Sequence, residues 1–404
     1  MVKKRLVRVF YTSSALILGI GIVLIMSFAG DKSHGPLDSL FSKLGFFVKD
    51  VENNLIVDKR SDNRSDKLHW FEKYKSNSYL MKNPDVILLG AHDNQSDVSF
   101  NSVVNLEDSL RITFPLIQIY QAWGSKPEEQ FPKAQVKTIL DMGSTPVITW
   151  EPWLCDFNEE DYPHLRKVEQ RDFKGMTDVA KGLYDKYIIQ WAEDARETNQ
   201  QIYLRMGHEM NDPYRYPWGP QNNTPKEFVN AWIHVHRIFE KVGATNVIWV
   251  WGPHPAYGYF DAFYPGNEYV DYVGIGILNF GTVASWSKWW TFKEMFGGHY
   301  KEFAAYKKPI MITEFGSLAV GGNRSKWFQD ALDSIPENYP LIKSILFFHV
   351  SDDKTTTQQT LSWYFKFDTL CTHAITRQVE HWFVSEVLSK NNFLKSYMGF
   401  FKKE

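Results

Sequence analysis

The sequence predicts an α/β fold, a (β/α)₈ TIM barrel preceded by an N-terminal transmembrane helix. Two regularities predict the barrel. Eight short, β-rich apolar runs alternate with longer amphipathic stretches, and polar or aromatic side chains follow each run. A third observation predicts the membrane helix, because residues 9–30 carry no charged side chain and are long enough to cross a bilayer.

The N-terminal segment, residues 1–30, is predicted to be a cytoplasmic basic flank and transmembrane anchor. Lys3, Lys4, Arg5 and Arg8 precede the apolar stretch, and basic residues stay on the cytoplasmic side. The chain after Asp31 is therefore expected on the extracytoplasmic side, periplasmic or extracellular. A cleaved signal peptide is the alternative, since small residues occur at 27–29, and the protein would then be secreted.

The remaining chain divides into three parts by composition. Residues 31–83 are polar and mixed in charge, which predicts a spacer, with packing of residues 68–79 on the barrel as the alternative. Residues 84–392 hold the eight runs and form the predicted barrel domain, and residues 393–404 are a C-terminal tail. The net charge of −2 gives no basic face for phosphate, so a nucleic-acid partner is not expected.

The eight apolar runs are spaced so that an amphipathic helix fits between successive strands. Such an alternation implies parallel pairing through helical crossovers. The first run is followed by Ala91-His92-Asp93 and not by the Gly-rich turn of a doubly wound nucleotide-binding sheet, so a closed barrel is favoured. The runs are 86–90, 116–120, 146–150, 202–206, 247–251, 272–277, 310–313 and 345–348.

Each run is followed by side chains able to bind or react. In a (β/α)₈ barrel the carboxyl ends of the strands meet on one face, where active sites lie. These residues are therefore expected to converge. In strand order they are His92 and Asp93, Trp123, Glu151 and Trp153, His208 with Glu209 and Asn211, His254, Asn279, Glu314, and His349 with Asp352.

Glu209 and Glu314 are the candidate catalytic pair. Cleavage of a glycosidic bond needs one carboxyl group that protonates the leaving oxygen and a second that attacks the anomeric carbon or activates water. The two residues follow strands 4 and 7, which lie across the barrel mouth, so they can approach as closely as a retaining pair requires.

Carbohydrate substrates also agree with the aromatic content, 15 Trp and 20 Tyr, because a flat ring covers the apolar face of a sugar. Ten residues are predicted to contact substrate. They are His92, Glu151, Trp153, His208, Asn211, Trp218, Trp251, Asn279, His349 and Trp363.

Other hydrolytic chemistries lack their motifs. His208-Glu209 begins like a zinc-binding His-Glu-x-x-His helix, but residue 212 is aspartate. His92 is not part of a His-x-His pair, and no Gly-x-Ser-x-Gly nucleophile turn occurs. No metal and no cofactor are predicted.

At these motifs the chain resembles glycoside hydrolase family 26, of β-mannanase or mixed-linkage β-glucanase type. Matching segments lie at residues 149–153, 205–211, 216–219, 249–253, 270–274 and 313–316, in consistent order over residues 85–370. The resemblance implies a retaining (β/α)₈ enzyme with Glu209 as acid/base and Glu314 as nucleophile. It also implies that His208 lies in the −1 subsite and that Trp218 is a sugar platform.

The implied activity is endo-acting hydrolysis of a β-linked polysaccharide, β-1,4-mannan or mixed-linkage β-1,3-1,4-glucan. The anchor suggests trimming of an exported polymer. One departure from the family pattern favours a function other than hydrolysis, because Leu278 stands where the family places a tyrosine that supports the nucleophile. The alternatives are a weak or inactive barrel that binds glycan or scaffolds a polysaccharide synthesis or export complex, and a transglycosylase.

Overall fold

The computed structural model describes residues 51, 53–57, 59, 63–97, 99–357 and 359–384. The chain divides into two units at Leu55/Ile56. The described residues of the first unit, 51 and 53–55, are helical. The predicted transmembrane segment at residues 9–30 and the tail at residues 393–404 lie outside the described residues. Of the helices that are described, none combines the length and the apolarity needed to cross a membrane.

The second unit contains a closed barrel of eight parallel strands in sequential order, as the sequence predicted. Seven of the eight predicted runs lie within a strand, the first run, 86–90, overlaps β1 from residue 88, and strands 4 and 5 have the predicted bounds. The strands are β1 (Leu88–Asp93), β2 (Leu116–Ala122), β3 (Thr145–Glu151), β4 (Ile202–Met206), β5 (Val247–Trp251), β6 (Tyr272–Asn279), β7 (Ile310–Ser317) and β8 (Ile342–His349).

Amphipathic helices fill the connections and pack their apolar faces on the barrel. The α-helices are α1 (Glu72–Lys75), α2 (Ser78–Lys82), α3 (Asn101–Leu110), α4 (Lys133–Asp141), α5 (Gly175–Ala180), α6 (Asp185–Glu197), α7 (Pro225–Val242), α8 (Phe260–Phe263), α9 (Gly298–Ala304), α10 (Arg324–Asn338) and α11 (Thr369–Val384).

Local sequence sets the ends of α7, the helix that follows the loop carrying Glu209. The Thr224 hydroxyl accepts from the Glu227 amide at 3.3 Å, and the Glu227 carboxylate accepts from the Thr224 amide at 2.7 Å. This reciprocal capping box satisfies amides that the first turn leaves unbonded, and Pro225 suits the first helical position. Gly243, at φ 83°, ends the helix in the left-handed conformation.

The amino-terminal end of the barrel is closed by the chain that precedes β1. Phe71 and Met81 are fully buried there. The carbonyl of Met81 accepts hydrogen bonds from the Tyr203 hydroxyl at 2.8 Å and the Tyr272 hydroxyl at 2.9 Å. Residues 63–83, predicted as spacer, therefore belong to the barrel domain. The sequence favoured the spacer because the apolar residues are widely separated among charged ones, and the alternative, packing of residues 68–79 on the barrel, is the one observed.

Arg64 fixes the same segment to the outside of the barrel. Its guanidinium pairs with the buried Glu107 carboxylate and donates to the Ser144 hydroxyl at 2.7 Å and, through Nε, to the Met142 carbonyl at 2.9 Å. A buried cation is tolerated only when it is paired and hydrogen-bonded, as this one is. The domain boundary predicted at residue 84 consequently moves towards Ile56.

Strand register brings the predicted catalytic residue of β7 opposite a glycine of β6. The ladder between these strands shifts at Ile275/Gly276, and Gly276 then pairs with Glu314. Such a bulge redirects side chains at the end of a strand. The absence of a side chain at Gly276 leaves room beside the carboxylate.

Candidate active site

Glu209 and Glu314 converge at the carboxyl ends of the strands. A Cβ placed on Gly276 would lie 3.5 Å from Glu314 Oε2 and 3.8 Å from Glu209 Oε1. These two distances limit the separation of the oxygens to 7.3 Å, the sum of 3.5 and 3.8 Å. The carboxyl groups of retaining glycosidases lie about 5–5.5 Å apart, within this limit. The two predicted residues can therefore act on one bond.

The carboxylate of Glu314 is held by two donors on one of its oxygens. Oε1 accepts from the Tyr120 hydroxyl and from Arg205 Nη2, each at 2.7 Å. Burial would raise the pKa of Glu314, but the Arg205 charge and these hydrogen bonds outweigh it and lower the pKa to about 2. Glu314 is therefore ionised near neutral pH.

Arg205 is itself fixed by neighbouring strands. The buried guanidinium donates from Nε to the Thr149 hydroxyl at 3.0 Å and from Nη1 to the Thr313 hydroxyl at 2.8 Å. Its Nη2 also donates to the Tyr120 hydroxyl at 2.9 Å. Contacts from β2, β3 and β7 thus hold the charge against Glu314, and this cation compensates the buried carboxylate.

The backbone at Glu209 is strained. Gly207 and Glu209 both have φ 52°, a conformation that costs a residue with a side chain about 1–3 kcal/mol. Three backbone hydrogen bonds hold the turn: the Gly207 amide donates to the Trp150 carbonyl at 2.9 Å, the Glu209 amide to the Gly252 carbonyl at 2.6 Å, and the Asp212 amide to the Glu209 carbonyl at 2.9 Å. This turn directs the Glu209 side chain towards Gly276.

Glu209 has the opposite protonation preference from Glu314. Burial and the nearby Glu314 charge disfavour its ionised form and raise its pKa to about 8, against the opposing effect of Arg215. Arg215 Nη1 lies 3.3 Å from Glu209 Oε2. Near neutral pH one carboxyl group of the pair therefore carries a proton and the other does not.

His208 and Glu151 form a second polar group beside the pair. His208 Nε2 lies 3.0 Å from the Tyr216 hydroxyl, and His208 Nδ1 lies 3.8 Å from Glu151 Oε1. Burial and the Arg205 charge lower the pKa of His208, so the ring is neutral. The indole of Trp153 donates to Glu151 at 3.0 Å. Burial raises the pKa of Glu151.

The predicted sugar platform Trp218 is fully buried, and this assignment needs correction. Its indole donates to the His208 carbonyl at 2.8 Å, and its ring stacks on Tyr216 with 4.7 Å between centroids. A ring without exposed surface cannot cover a sugar. Trp218 instead supports Tyr216 and the backbone of His208, while the partly exposed Tyr216 and Trp153 face outward.

Four other predicted binding residues have at most 1% of their surface exposed, and their expected substrate contacts are corrected likewise. Trp251 donates to the Phe263 carbonyl at 3.1 Å, and Asn279 donates to Ser317 at 2.9 Å. His349 lies 2.7 Å from Asp93, and Trp363 donates to Asp353 at 2.8 Å. In the sequence, aromatic and polar residues at strand ends look like substrate-binding residues, but these four join loops to the barrel.

Asn211 is buried, whereas His92 is partly exposed. The Asn211 amide donates to the carbonyls of His254 and Gly258, each at 2.9 Å, so it ties the loop after β4 to the loop after β5. His92 is partly exposed, and its ring lies 4.5 Å from that of Tyr120. Of these two residues, His92 retains exposed surface with which to meet a ligand.

Three residues that contact the pair were not among the predicted site residues: Tyr120, Arg205 and Arg215. Arg205 had a sequence signal, because it is the charged residue inside the apolar run of β4 and a buried charge requires a partner. Tyr120 ends the run of β2 and looks like a core aromatic residue. Arg215 lies in an irregular loop, and no periodicity marks it.

Leu278, the departure in the predicted motif, packs beside an apolar cluster that includes Leu318 and Trp363. The tyrosine hydroxyl that contacts Glu314 comes instead from Tyr120 on β2. Leucine at position 278 therefore does not leave Glu314 without a tyrosine partner.

Glu209, Asp212 and His254 bring three possible metal-ligand atoms within 4.8 Å of one another. Arg215 Nη1 already places a positive charge 3.3 Å from Glu209 Oε2, and this charge opposes a cation at the same carboxylate. His254 Nδ1 accepts from the Ala256 amide at 3.1 Å.

Comparison with known proteins gives one family. Residues 135–316 match the family model of glycosyl hydrolase family 26, a range that includes both Glu209 and Glu314. Endoglucanase H of Acetivibrio thermocellus is 34% identical over 220 residues, 52% of this chain and 22% of that protein. A mannan endo-1,4-beta-mannosidase of Bacillus subtilis is 25% identical over 162 residues, 38% of this chain and 39% of that protein. The chain thus spans well under half the length of either relative.

Solved structures agree on the fold. The catalytic domain of a family 26 endo-beta-1,4-mannanase from Bacillus sp. JAMB-750 superposes with a TM-score of 0.52 at 15% identity, covering 82% of this chain and 93% of that one. A family 26 beta-mannanase from Bacteroides ovatus gives 0.51 at 13% identity, covering 78% and 94%.

Proposed function

Because the chain carries a glycosyl hydrolase family 26 domain across residues 135–316, as the sequence predicted, we propose that it hydrolyses internal bonds of a β-linked polysaccharide with retention of configuration. The observation that carries the proposal is the convergence of two carboxyl groups beside Gly276, of which Glu314 is held by Tyr120 and Arg205. Glu209 has a pKa raised to about 8 and Glu314 a pKa lowered to about 2. A glycosidic bond between them meets an acid on one side and a nucleophile on the other.

In the first step, an oxygen of Glu314 attacks the anomeric carbon while Glu209 gives its proton to the leaving oxygen. The bond from the anomeric carbon to the leaving oxygen breaks, and its electron pair is neutralised by that proton. A glycosyl ester on Glu314 and an ionised Glu209 result. Loss of the Glu314 charge also removes one cause of the raised pKa of Glu209, so ionisation of Glu209 becomes easier as the ester forms.

In the second step, the ionised Glu209 accepts a proton from water, and the water oxygen attacks the same carbon. The ester bond breaks, the Glu314 carboxylate is regenerated beside Arg205, and Glu209 regains its proton. Two inversions at one carbon give net retention. A sugar hydroxyl in place of water would give transglycosylation by the same route.

The proposed substrates are β-1,4-mannan and mixed-linkage β-1,3-1,4-glucan. An endoglucanase and a mannan endo-mannosidase are among the proteins that this chain resembles, so both a glucan and a mannan have support. We also propose that residues 9–30 anchor the domain outside the cytoplasm, where it would trim an exported polymer. This rests on the sequence of that segment alone.

A silent glycan-binding or scaffolding barrel is the second candidate, and Leu278 was the observation that favoured it. That argument weakens because Tyr120 and Arg205 both contact Glu314.

Release of reducing ends from mannan, mixed-linkage glucan and xylan by the purified full-length chain tests the proposal. Glu209→Gln and Glu314→Gln preserve side-chain size and serve as matched variants. We expect release by the wild type from a glucan or a mannan, and loss of about 10³-fold or more in the Glu314 variant. Equal release by all three proteins would refute the assigned mechanism, and binding without release would support the scaffold.

A further inference from the structure

The two oxygens of the Glu314 carboxylate have different surroundings. Tyr120 and Arg205 both contact Oε1, each at 2.7 Å. Oε2 lies on the side of Gly276, where a Cβ would be 3.5 Å from Oε2 and 3.8 Å from Glu209 Oε1. One oxygen is therefore held by donors, and the other faces the acid across a residue without a side chain.

Resting on the function proposed above, we infer that Tyr120 is a positioning residue that holds Oε1 and so presents Oε2 of Glu314 as the attacking atom. The Tyr120 hydroxyl donates to Oε1 and accepts from Arg205 Nη2 at 2.9 Å, which sets the direction of its single proton. The three groups form a closed triangle of hydrogen bonds. A carboxylate held in this way cannot rotate to exchange its oxygens without breaking two charge-assisted bonds.

Tyr120 also has a place in the two steps of the reaction. When Oε2 forms the ester bond, Oε1 becomes the ester carbonyl oxygen, and the hydrogen bond from Tyr120 weakens because the charge on Oε1 is lost. When water attacks, the bond from Oε2 to the anomeric carbon breaks and its electron pair returns to the carboxylate. Hydrogen bonding at Oε1 then strengthens, so Tyr120 favours departure of Glu314 from the sugar.

Two features of β2 support a dedicated role. Tyr120 is partly exposed near the carboxyl end of its strand, two residues before Ala122, while residues 116–119 before it are buried. The centroid of its ring lies 4.5 Å from that of His92 and 6.0 Å from that of His208, so these two neighbouring rings set the orientation of Tyr120. The Tyr120 hydroxyl donates to the Glu314 carboxylate. The corresponding position on β6 is Leu278, which has no hydroxyl to donate.

The test compares Tyr120→Phe with Tyr203→Phe in the full-length chain. Each substitution removes one hydroxyl, and Tyr203 donates to the Met81 carbonyl at the opposite end of the barrel. We expect kcat of Tyr120→Phe to fall about 10- to 100-fold, the loss of one hydrogen bond to a charged group, with KM not raised. Tyr203→Phe is expected to keep the wild-type kcat.

A second measurement does not depend on turnover. Glutamate labelled with ¹³C at the carboxyl carbon reports the titration of Glu314, assigned by its disappearance in Glu314→Gln. Tyr120→Phe is expected to raise the pKa of Glu314, because a hydrogen bond to the ionised form is lost. Tyr203→Phe should leave the signal unchanged.

The inference is overturned if Tyr120→Phe retains the wild-type kcat, if KM alone rises, or if the Glu314 signal titrates as in the wild type. A wild-type chain inactive on every polymer defeats the proposed function instead. The titration of Glu314 then still decides whether Tyr120 holds its carboxylate.

Discussion

Arg215 offers a quantitative test of the acid role of Glu209. Its Nη1 lies 3.3 Å from Glu209 Oε2, with the arginine side chain 29% exposed. At that distance two unit charges interact by about 1–2.5 kcal/mol for an effective dielectric constant of about 40–80, a range suited to a partly solvated pair. The pair favours ionised Glu209. Replacing Arg215 by methionine should therefore raise the pKa of Glu209 by about 1–2 units.

The pH dependence of kcat/KM measures this, because it reports the free enzyme. Activity requires protonated Glu209, so the wild-type rate should fall as pH rises through about 8. In Arg215→Met the fall should begin about 1–2 pH units higher. Lys82→Met is the control, because it also removes a cation from an ion pair but not from the one with Glu209. Lys82, which precedes the first strand, pairs with Asp271 at 2.9 Å. A basic limb that stays in place or moves to lower pH in Arg215→Met would refute the electrostatic account.

Two predictions concern the scaffold. Phe71→Ala should lower the free energy of unfolding, measured in urea, by about 3–5 kcal/mol because Phe71 is fully buried. Tyr79→Ala removes a side chain that is 72% exposed and should change this free energy by less than about 0.5 kcal/mol. Equal effects of the two substitutions would place residues 63–83 outside the domain. Burial lowers the pKa of His349 in the folded protein, despite the partner Asp93. Because the unfolded chain takes up this proton first, the contribution of neutral His349 to stability is present above the unfolded pKa of about 6.5 and is lost as the pH falls. Unfolding free energies at pH 7 and pH 5 should differ less in His349→Phe than in the wild type, and an unchanged difference would contradict this.

The sequence predicted the barrel because each strand is a short apolar run and each crossover an amphipathic stretch. The signal is strong for β4 and β5, whose residues are all buried, and both were placed with the observed bounds. It failed for residues 63–83, where Phe71, Tyr74 and Met81 are separated by polar residues. Short helices that bury one side chain per turn carry too little periodicity to be distinguished from a spacer.

The candidate site was predictable to the extent that chemistry follows strand ends. Glu209 and Glu314 converge as expected, but Trp218 and His349 follow the same rule and are enclosed. A sequence does not distinguish a strand-end residue that faces the ligand from one that joins loops, because both need polar or aromatic groups. Tyr120 illustrates the converse, since register across the barrel brings it to Glu314 from a strand 194 residues earlier.

The configuration of the first-formed product tests the central claim most directly. ¹H NMR of a β-linked oligosaccharide during its first turnovers by the wild-type chain distinguishes the anomers before they equilibrate in water. A glycosyl ester on Glu314 followed by attack of water predicts the β-anomer first. Initial release of the α-anomer would mean a single displacement by water, and Glu314 would then not be the nucleophile.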